Sequence, residues 1–529
     1  MALLHMIEPL RNHPFCAISG FILLLTFIYV LYQQFIHSLS KYPGPFMASL
    51  TDIWQVSQFL SLRQPYRLTE LHQRYGPIVR YGPNKISITH EEAISAIYQK
   101  SSRSMPKTEF YDAFGGFHPN VFGTRDEAHH AVRRRHMSHS FSMTSIKEME
   151  YLLDANINIL RAKIRRRALA GETFDLKKAL HYYVVDVLFE LAFSGSFNVQ
   201  ESEDDSQMPP VKEHTLLGSA IGAWTNMRLV LKKWLPMLPS KRVQALFDGR
   251  KACIELASRS VQKRLNDLEM EKDNEVAGKG QQRDLLTRLI LAKDPETGQR
   301  LTQQDLETEA FGFIIAGTHT TTATTALLFW NLLHNPKYMN ECVKEIDARF
   351  HTLEDSQSAY SIAQVEGSLS FLRKCVKENF RITPVFTMPL ERRVTAAEGV
   401  SISGHHFPQG TSLAVCNHAF HHNPAVWGED HNIFDPYRHQ NIEHGSSLFH
   451  FGLGGRQCIG KSMALANIYK ISSTLLKEFD FQLADEEERL AVERGHFHGV
   501  LPQLISVGVS DLEGPLMVKA KLRDMRLKV

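Results

Sequence analysis

The segment from 451 to 460, Phe-Gly-Leu-Gly-Gly-Arg-Gln-Cys-Ile-Gly, combines one cysteine with four glycines. Glycine permits tight turns and a close approach of the backbone to a flat ligand, because it has no Cβ. The residues after Cys458 predict a helix, and free N–H groups at a helix N-terminus favour the thiolate. Cys458 is therefore a candidate metal ligand. Taken alone, a loose pattern of glycines and a cysteine favours a glycine-rich loop that buries a structural cysteine.

The complete spacing is Phe-x-x-Gly-x-Arg-x-Cys-x-Gly, and it resembles the heme-binding loop of the cytochrome P450 family. The matching residues are Phe451, Gly454, Arg456, Cys458 and Gly460. The resemblance implies that Cys458 is the axial ligand of the iron of heme b, a thiolate that favours O–O cleavage. It implies that the other four residues bind the cofactor, with Phe451 shielding the sulfur from water and Arg456 pairing with an acidic group of the ligand.

A second segment whose residues could take part in a reaction lies in a long predicted helix. Thr302 with Asp305 forms a capping signal and His334-Asn335-Pro336 a stop signal, which predicts about 30 residues and ~45 Å of helix. The central residues 316–322 include glycine and threonines, which weaken a helix locally and could open a groove for dioxygen. A buried helix with a small-residue packing face is the alternative.

The centre of this helix resembles the family motif Ala-Gly-x-acid-Thr-Thr. Ala316, Gly317, Thr320 and Thr321 match, whereas His319 occupies the position of the usual Asp or Glu. The resemblance implies that Thr320 is the catalytic alcohol that relays protons at the oxygen site. We expect His319 to pass protons near neutral pH, because the unperturbed pKa of an imidazole is near 6.5.

Basic residues are expected beside the propionates of heme b. A helix predicted over 126–138 places His130 and Arg134 four residues apart on one face. They match the family's propionate-binding positions, as does Arg392, with Arg393 as the close alternative.

The neighbouring arginines Arg133 and Arg135 are expected to be solvated. Three consecutive arginines also suit the docking of an acidic electron donor.

Glu378 and Arg381 are three residues apart in predicted helical sequence, a spacing typical of a surface ion pair. Together with Phe-Asp-Pro-Tyr-Arg at 434–438, they resemble the family's Glu-x-x-Arg and Phe-x-Pro-x-Arg set. The resemblance implies that Glu378, Arg381 and Arg438 form a buried structural network behind the heme, which holds the cysteine loop.

Apolar residues near these motifs predict a pocket for a bulky apolar substrate, because few charged residues accompany them. The candidate lining residues are Phe114, Trp224, Phe313, Ala316, Val385, Phe386 and Phe497.

The N-terminal sequence predicts a membrane anchor. Residues 15–36 contain no Lys, Arg, Asp or Glu, and 22 residues are enough to cross a bilayer core of about 30 Å. We expect a short tail at 1–14, a transmembrane helix at 15–36, a proline-rich hinge at 37–45 and a catalytic domain at 46–529. Six scattered cysteines suit a reducing compartment, and a net charge of +3 gives no argument for nucleic acid.

The resemblance as a whole implies a single, mainly α-helical cytochrome P450 domain with a small β region. It implies a heme-dependent monooxygenase of microsomal, fungal type, from secondary metabolism, acting on a terpenoid or polyketide skeleton. Electrons would come from NADPH through a separate reductase, NADPH-cytochrome P450 reductase, with the catalytic domain on the cytosolic side of the endoplasmic reticulum membrane. Two alternatives stay open: a heme-thiolate isomerase or dehydratase that needs no O₂, and a non-enzymatic heme-binding membrane protein.

Overall fold

The computed structural model describes residues 14–99, 105–273, 284–294, 296–350, 359–441 and 448–523. Helices dominate these residues, which agrees with the predicted mainly α fold. In chain order they are α1 Pro14–Leu31, α2 Phe46–Leu50, α3 Ile53–Leu60, α4 Gln64–Tyr75, α5 Glu91–Ile94, α6 Glu127–Ser138, α7 Met143–Glu148, α8 Glu150–Ala170, α9 Leu176–Phe193, α10 Val199–Ser202, α11 Val211–Ala223, α12 Arg228–Trp234, α13 Lys241–Asp273, α14 Leu285–Leu291, α15 Gln303–Leu333, α16 Pro336–Arg349, α17 Ile362–Ser368, α18 Ser370–Ile382, α19 Asn417–His421, α20 Pro424–Trp427, α21 Arg438–Asn441, α22 Lys461–Glu478 and α23 Glu486–Glu493.

The strands are short and form small sheets. They are β1 Ile78–Gly82, β2 Lys85–Ile88, β3 Thr173–Asp175, β4 Arg392–Arg393, β5 Val400–Ile402, β6 His405–Phe407, β7 Ser412–Ala414, β8 Phe479–Leu483, β9 Leu504–Ser506, β10 Ser510–Leu512 and β11 Met517–Leu522. The largest sheet has the order β1-β2-β7-β4, in which β2 and β7 are parallel and the other pairs are antiparallel. Strands β1 and β2 form the antiparallel hairpin that the alternating residues around Gly82-Pro83-Asn84 predict.

Helix α15 runs through the main core, and its predicted length and both of its ends are confirmed. Thr302 and Asp305 form the capping box, and His334 is the C-terminal cap. The helix packs against α9, α11, α13, α18 and α22. Threonine hydroxyls along its centre donate to carbonyl oxygens one turn earlier, from Thr318, Thr320, Thr322, Thr324 and Thr325. The helix nevertheless continues without a break through this region.

Helix α1 and the π-helical turn after it contain a segment, Ile18–Ile36, that is long and apolar enough to cross a membrane. Its side chains are largely exposed, for example Leu23 at 70% and Phe35 at 76%. A buried core helix would show the opposite, so the exposure agrees with a membrane anchor.

The connection after the anchor packs onto the β region. Leu39 and Tyr42 are buried, and Tyr42 stacks on Phe407 of β6 with ring centroids 5.3 Å apart. The buried guanidinium of Arg80 donates to the backbone oxygen of Gln33 at 2.9 Å and to its side-chain oxygen at 2.6 Å. The proposed hinge is therefore a docked connection.

One expected linker is partly helical. The polar sequence 269–283 predicts a linker, but α13 continues to Asp273. Residues 274–283 lie outside the described part of the chain.

Candidate active site

The cysteine loop is a tight turn that leads directly into α22. Gly452 and Gly454 have φ values of 71° and 65°, and a Cβ on Gly454 would lie 2.7 Å from the carbonyl oxygen of Tyr98. Glycine is required there for both reasons. The backbone N–H of Cys458 donates to the carbonyl of Phe451 at 2.8 Å, and α22 begins three residues later. The predicted helix after the cysteine is confirmed.

The side chain of Cys458 is accessible, unlike the other described cysteines. The surrounding protein nevertheless raises the pKa of its thiol by desolvation, while the N–H of Gly460 and the charge of Arg134 act in the opposite direction. The two observations agree if the sulfur borders an internal cavity, because such a sulfur is accessible yet far from bulk water. An accessible sulfur at a helix N-terminus fits the donor expected of a thiolate ligand.

The centre of α15 also borders open space. Ala316 is exposed in the middle of an otherwise buried helix, and Thr320, one turn later, is half-buried. The hydroxyl of Thr320 donates to the carbonyl of Ala316 at 2.8 Å. Helix α22, which begins directly after the cysteine loop, packs against α15.

Five basic side chains converge beside the cysteine loop, and we call them the heme-side cluster. They are Lys107, His130, Arg134, Arg392 and Arg456. Burial, followed by the charges of Arg456, Lys107, Arg134 and Arg392, lowers the pKa of His130 to about 3. Burial also lowers the pKa of Lys107 well below its usual value, with Arg392 and Arg456 adding to the shift.

Protein partners satisfy the heme-side cluster only in part. Arg456 pairs with Glu127 at 2.7 Å, whereas Arg134 donates to the carbonyl of Gln457 and Arg392 to the hydroxyl of Tyr111, both at 2.6 Å. Three arginines in one place, with Lys107 and His130 beside them, favour a bound anion. The propionates of heme b fit this requirement. Sequence analysis missed Lys107, which lies in a loop and has no motif around it.

The predicted buried network has its expected members together. Glu378 and Arg381 are fully buried and joined by two hydrogen bonds of 2.6 and 2.9 Å, and Arg438 lies 3.4 Å from Glu378. His439, which sequence analysis missed, adds a fourth group at 3.0 Å from Glu378. Desolvation would raise the pKa of Glu378, but Arg381 and His439 outweigh it and lower the pKa.

This arginine network, Glu378, Arg381, Arg438 and His439, is connected to the cysteine loop through aromatic rings. Phe380 of α18 stacks on His450 at 3.9 Å between centroids and meets Phe451 edge-on at 5.2 Å. The network can therefore hold the loop, as the family resemblance implies.

His319 is buried and has an acidic partner that sequence analysis did not find. Its Nε2 lies 3.2 Å from Oδ2 of Asp511 on β10, and Nζ of Lys212 lies 2.7 Å from the same carboxylate oxygen. Desolvation lowers the pKa of His319, and the hydrogen bond and charge of Asp511 oppose that shift. Asp511 is 192 residues away in sequence, so no local pattern could have indicated the pair.

Several predicted pocket residues lie in a group of aromatic rings. Phe114 contacts Phe110 and Phe122 at centroid distances of 5.2 and 5.7 Å, and Phe122 lies 6.2 Å from Phe386. Gly218 on α11 makes room for Phe114, because a Cβ there would be 2.9 Å from the ring.

Three other pocket candidates make their contacts outside this group. Phe313 packs edge-on against Phe141 at 5.5 Å, and Trp224 is half-buried at the end of α11. Val385 is buried, and its carbonyl accepts a hydrogen bond from Ser510.

The structure does not bring Phe497 to this region. Its ring packs on His334 at 4.7 Å, at the end of α15 and about 27 Å along the helix from Ala316. The C-terminal segment reaches the pocket later in the chain, where Val509 bridges to Phe386 and the carbonyl of Gly508 accepts from Met388. A left-handed φ of 110° at Gly508 makes this turn possible.

The expectation that Arg133 is solvated is wrong. Its side chain is buried and forms ion pairs with Asp305 at 2.6 Å and Glu309 at 2.7 Å, because these two carboxylates of α15 face α6. Arg135 pairs with Asp294 at 3.0 Å. Arg133 and Arg135 thus pair with carboxylates of this chain that lie outside α6. They do not form the basic docking patch considered for an electron donor.

The sequence was compared with known proteins. The cytochrome P450 family model matches residues 43–506, which contain every motif described above. The chain belongs to the cytochrome P450 family. It is 31% identical to the cytochrome P450 monooxygenase gsfF of Penicillium aethiopicum over 86% of this chain and 90% of that protein. It is 30% identical to the cytochrome P450 monooxygenase cicH of Emericella nidulans over 90% and 94%, and 28% identical to the benzoate 4-monooxygenase bphA of Aspergillus niger over 89% and 93%.

Membership in this family establishes the class of the enzyme. The protein is an oxidoreductase that incorporates oxygen from O₂, uses heme b iron and receives electrons from a redox-partner reductase. The accessible thiol of Cys458 and the heme-side cluster are residues of this chain that fit that cofactor.

Proposed function

We propose that this protein hydroxylates a bulky, apolar small molecule as a tailoring step of fungal secondary metabolism, on a terpenoid or polyketide skeleton. The observation that carries the substrate class is the group of rings at Phe110, Phe114, Phe122 and Phe386, of which Phe122 and Phe386 are only half-buried. His214 connects this group to α15, because its ring contacts both Phe114 and Phe311. A mainly apolar lining favours a neutral ligand over a charged one. We further propose a catalytic domain of residues 46–529, anchored by residues 15–36 in the endoplasmic reticulum membrane and reduced by NADPH-cytochrome P450 reductase.

Each group of residues has a separate task in this mechanism. Heme b, held by Cys458, supplies the activation of O₂. The heme-side cluster binds the propionates, and Phe451 shields the sulfur from water. The aromatic group orients the substrate and excludes water. Thr320 and His319 hold and pass the protons that the reaction consumes.

The role of Cys458 is tested by spectroscopy. The reduced protein with carbon monoxide is expected to show the long-wavelength absorption band of thiolate ligation, and Cys458→Ala should abolish that band. Cys416→Ala is the matched control, because Cys416 is buried in a separate small cluster with Leu68, Tyr81 and Ala419, and it should retain the band. A Cys458→Ala variant that keeps the band would contradict the assignment of Cys458 as the iron ligand.

The substrate class is tested by binding and turnover. The purified protein is titrated with neutral terpenoid and polyketide compounds and, because one relative is named for benzoate, with benzoate. We expect spectral shifts at lower concentrations for the neutral compounds, and weaker binding of them in Phe114→Ala. With reductase and NADPH, the leading compound should be hydroxylated as NADPH is consumed. Product formation without NADPH would instead support an isomerase or dehydratase, and no turnover of any compound would support a binding protein.

The proton role of α15 is tested by variants of its centre. His319→Ala and Thr320→Ala are both expected to release peroxide and to form less product per NADPH. His319→Asp restores the family's usual acid and should recover coupled turnover. If coupling and rate are unchanged in both alanine variants, protons reach the site by another route.

A further inference from the structure

The position of the usual acid on α15 is occupied by a histidine, but an aspartate from a distant strand lies against it. Asp511 of β10 has a side chain that is only 5% exposed, and its Oδ2 is 3.2 Å from Nε2 of His319. Lys212 of α11 donates to the same oxygen at 2.7 Å, and Lys177 of α9 lies 3.8 Å from it. A carboxylate is thus present beside the helix centre, although the chain supplies it from another element.

The charges around Asp511 determine which nitrogen of His319 carries the proton. The two lysines and His319 lower the pKa of Asp511 below its usual value despite its burial, so it is ionised at neutral pH. An ionised carboxylate only accepts hydrogen bonds, so Nε2 of His319 must be the donor. In the neutral imidazole, Nδ1 then carries a lone pair. No described residue hydrogen-bonds to Nδ1.

We infer that Asp511 is a positioning residue for proton transfer. It supplies, from β10, the carboxylate that α15 lacks at the position of His319. It fixes the tautomer and orientation of His319, and it compensates the charge of the imidazolium when a proton is present. This inference rests on the proposed monooxygenation, which consumes protons beside Thr320.

The transfer step needs no further reactant. A proton from solvent bonds to the Nδ1 lone pair of His319, which gives an imidazolium with an N–H at both nitrogens. The new Nδ1–H bond then breaks as the proton moves to an acceptor water or hydroxyl, and the neutral imidazole is restored. Asp511 keeps its negative charge throughout. The pairing resembles in its logic the carboxylate that orients the histidine of a catalytic triad.

The other groups around the pair determine the direction of each expected effect. Lys212 has a side chain that is 39% exposed and brings the network to the surface, whereas Lys177 and the half-buried His181 face the same site from α9. The charge of Asp511 raises the pKa of His319, and the charges of Lys212 and Lys177 lower it. Removing Asp511 should therefore lower the pKa of His319, and removing Lys212 should raise it.

The experiment compares Asp511→Asn, Asp511→Glu and Lys212→Met in the full-length heme protein. Asp205→Asn is the matched control, because Asp205 accepts from Lys178 at the same distance of 2.7 Å but is exposed on the surface. Hydrogen–deuterium exchange at the C2 position of histidine, followed by mass spectrometry, measures the pKa of His319 without requiring turnover. Product per NADPH is measured between about pH 6 and pH 8, where an imidazole can titrate.

We expect Asp511→Asn to lower the pKa of His319 and to slow product formation about tenfold, the low end of general acid–base effects, with more loss at higher pH. Asp511→Glu should restore most of the rate, and Lys212→Met should raise the pKa of His319. The carbon monoxide spectrum should be unchanged in all variants.

Two results would overturn the inference. In the first, Asp511→Asn has the same coupling and the same His319 pKa as the wild type. In the second, Asp511→Asn loses rate while the pKa of His319 stays constant, and Asp511→Glu does not restore the rate. If wild-type protein forms no product with reductase and NADPH, the proposed function fails. The histidine exchange data still test the pairing of His319 with Asp511 in that case.

Discussion

Two buried charge networks in this protein differ in how completely the carboxylate at their centre is satisfied. In the arginine network, Glu378 and Arg381 are both 0% exposed, and Arg381 also donates to the carbonyls of His421 and His431. In the network on α15, Asp511 has one carboxylate oxygen without a hydrogen-bond partner among the described residues, and Lys212 reaches the surface.

The difference separates a structural network from one suited to moving protons. A buried ion pair is tolerated when every donor and acceptor is satisfied, and such a pair holds one fixed arrangement. Proton transfer instead requires an atom that can gain and lose a hydrogen and a connection to solvent. The first network therefore predicts large effects on stability, and the second predicts large effects on coupling with small effects on stability.

The largest expected effect is on the arginine network. Arg381→Ala leaves Glu378 buried without its main partner, which should lower the free energy of unfolding by about 3–5 kcal/mol and reduce heme incorporation. Chemical denaturation and the ratio of heme to protein measure both effects. The control Arg63→Ala breaks an exposed ion pair with Glu513 and should cost less than about 1 kcal/mol. Equal losses of unfolding free energy in the two variants would contradict the expected difference between buried and surface ion pairs.

An intermediate effect is expected where the anchor meets the domain. Deletion of residues 1–36 removes Gln33 and leaves the buried guanidinium of Arg80 without two of its acceptors, whereas deletion of residues 1–31 retains them. Both proteins should leave the membrane and bind heme. The longer deletion should be less stable by about 1–3 kcal/mol, the cost of unsatisfied buried donors, as measured by denaturation with urea. Identical stability would show that water replaces Gln33.

A smaller, pH-dependent effect is expected from histidines near the arginine network. Burial lowers the pKa of His418 to about 4. The ring of His422 lies 4.5 Å from that of His418 and has hydrogen-bond partners in Asn432 and the carbonyl of Ile382. The unfolded chain binds a proton near pH 6.5, but folded His418 does not until about pH 4. Stability is therefore lost as the pH falls through this window, by up to about 1.4 kcal/mol per pH unit for each such group.

His418→Gln should make the loss of stability between about pH 6.5 and 4 less steep, because one of these groups is removed. His406→Gln changes an exposed histidine of β6 and serves as the control. Denaturation curves recorded across this range measure the slope. If the slope of His418→Gln equals that of the wild type, acid sensitivity arises elsewhere in the protein.

Sequence alone determined those features that depend on local order and spacing. The ends of α15 follow from Thr302, Asp305 and His334, and the turn around Cys458 follows from its glycines, because caps and left-handed turns are set by residues close in the chain. The order of the motifs also identified the family, and with it the mainly α fold and the heme.

Tertiary structure alone decided which distant side chains meet. It placed Asp511 against His319, added Lys107 to the heme-side cluster, buried Arg133 between two carboxylates and moved Phe497 away from the pocket. None of these results has a local signal, because burial and the partner of a charge depend on elements that are far apart in sequence. The physical reason is that a charge inside a protein is tolerated only beside its partners, and the fold as a whole determines where those partners are.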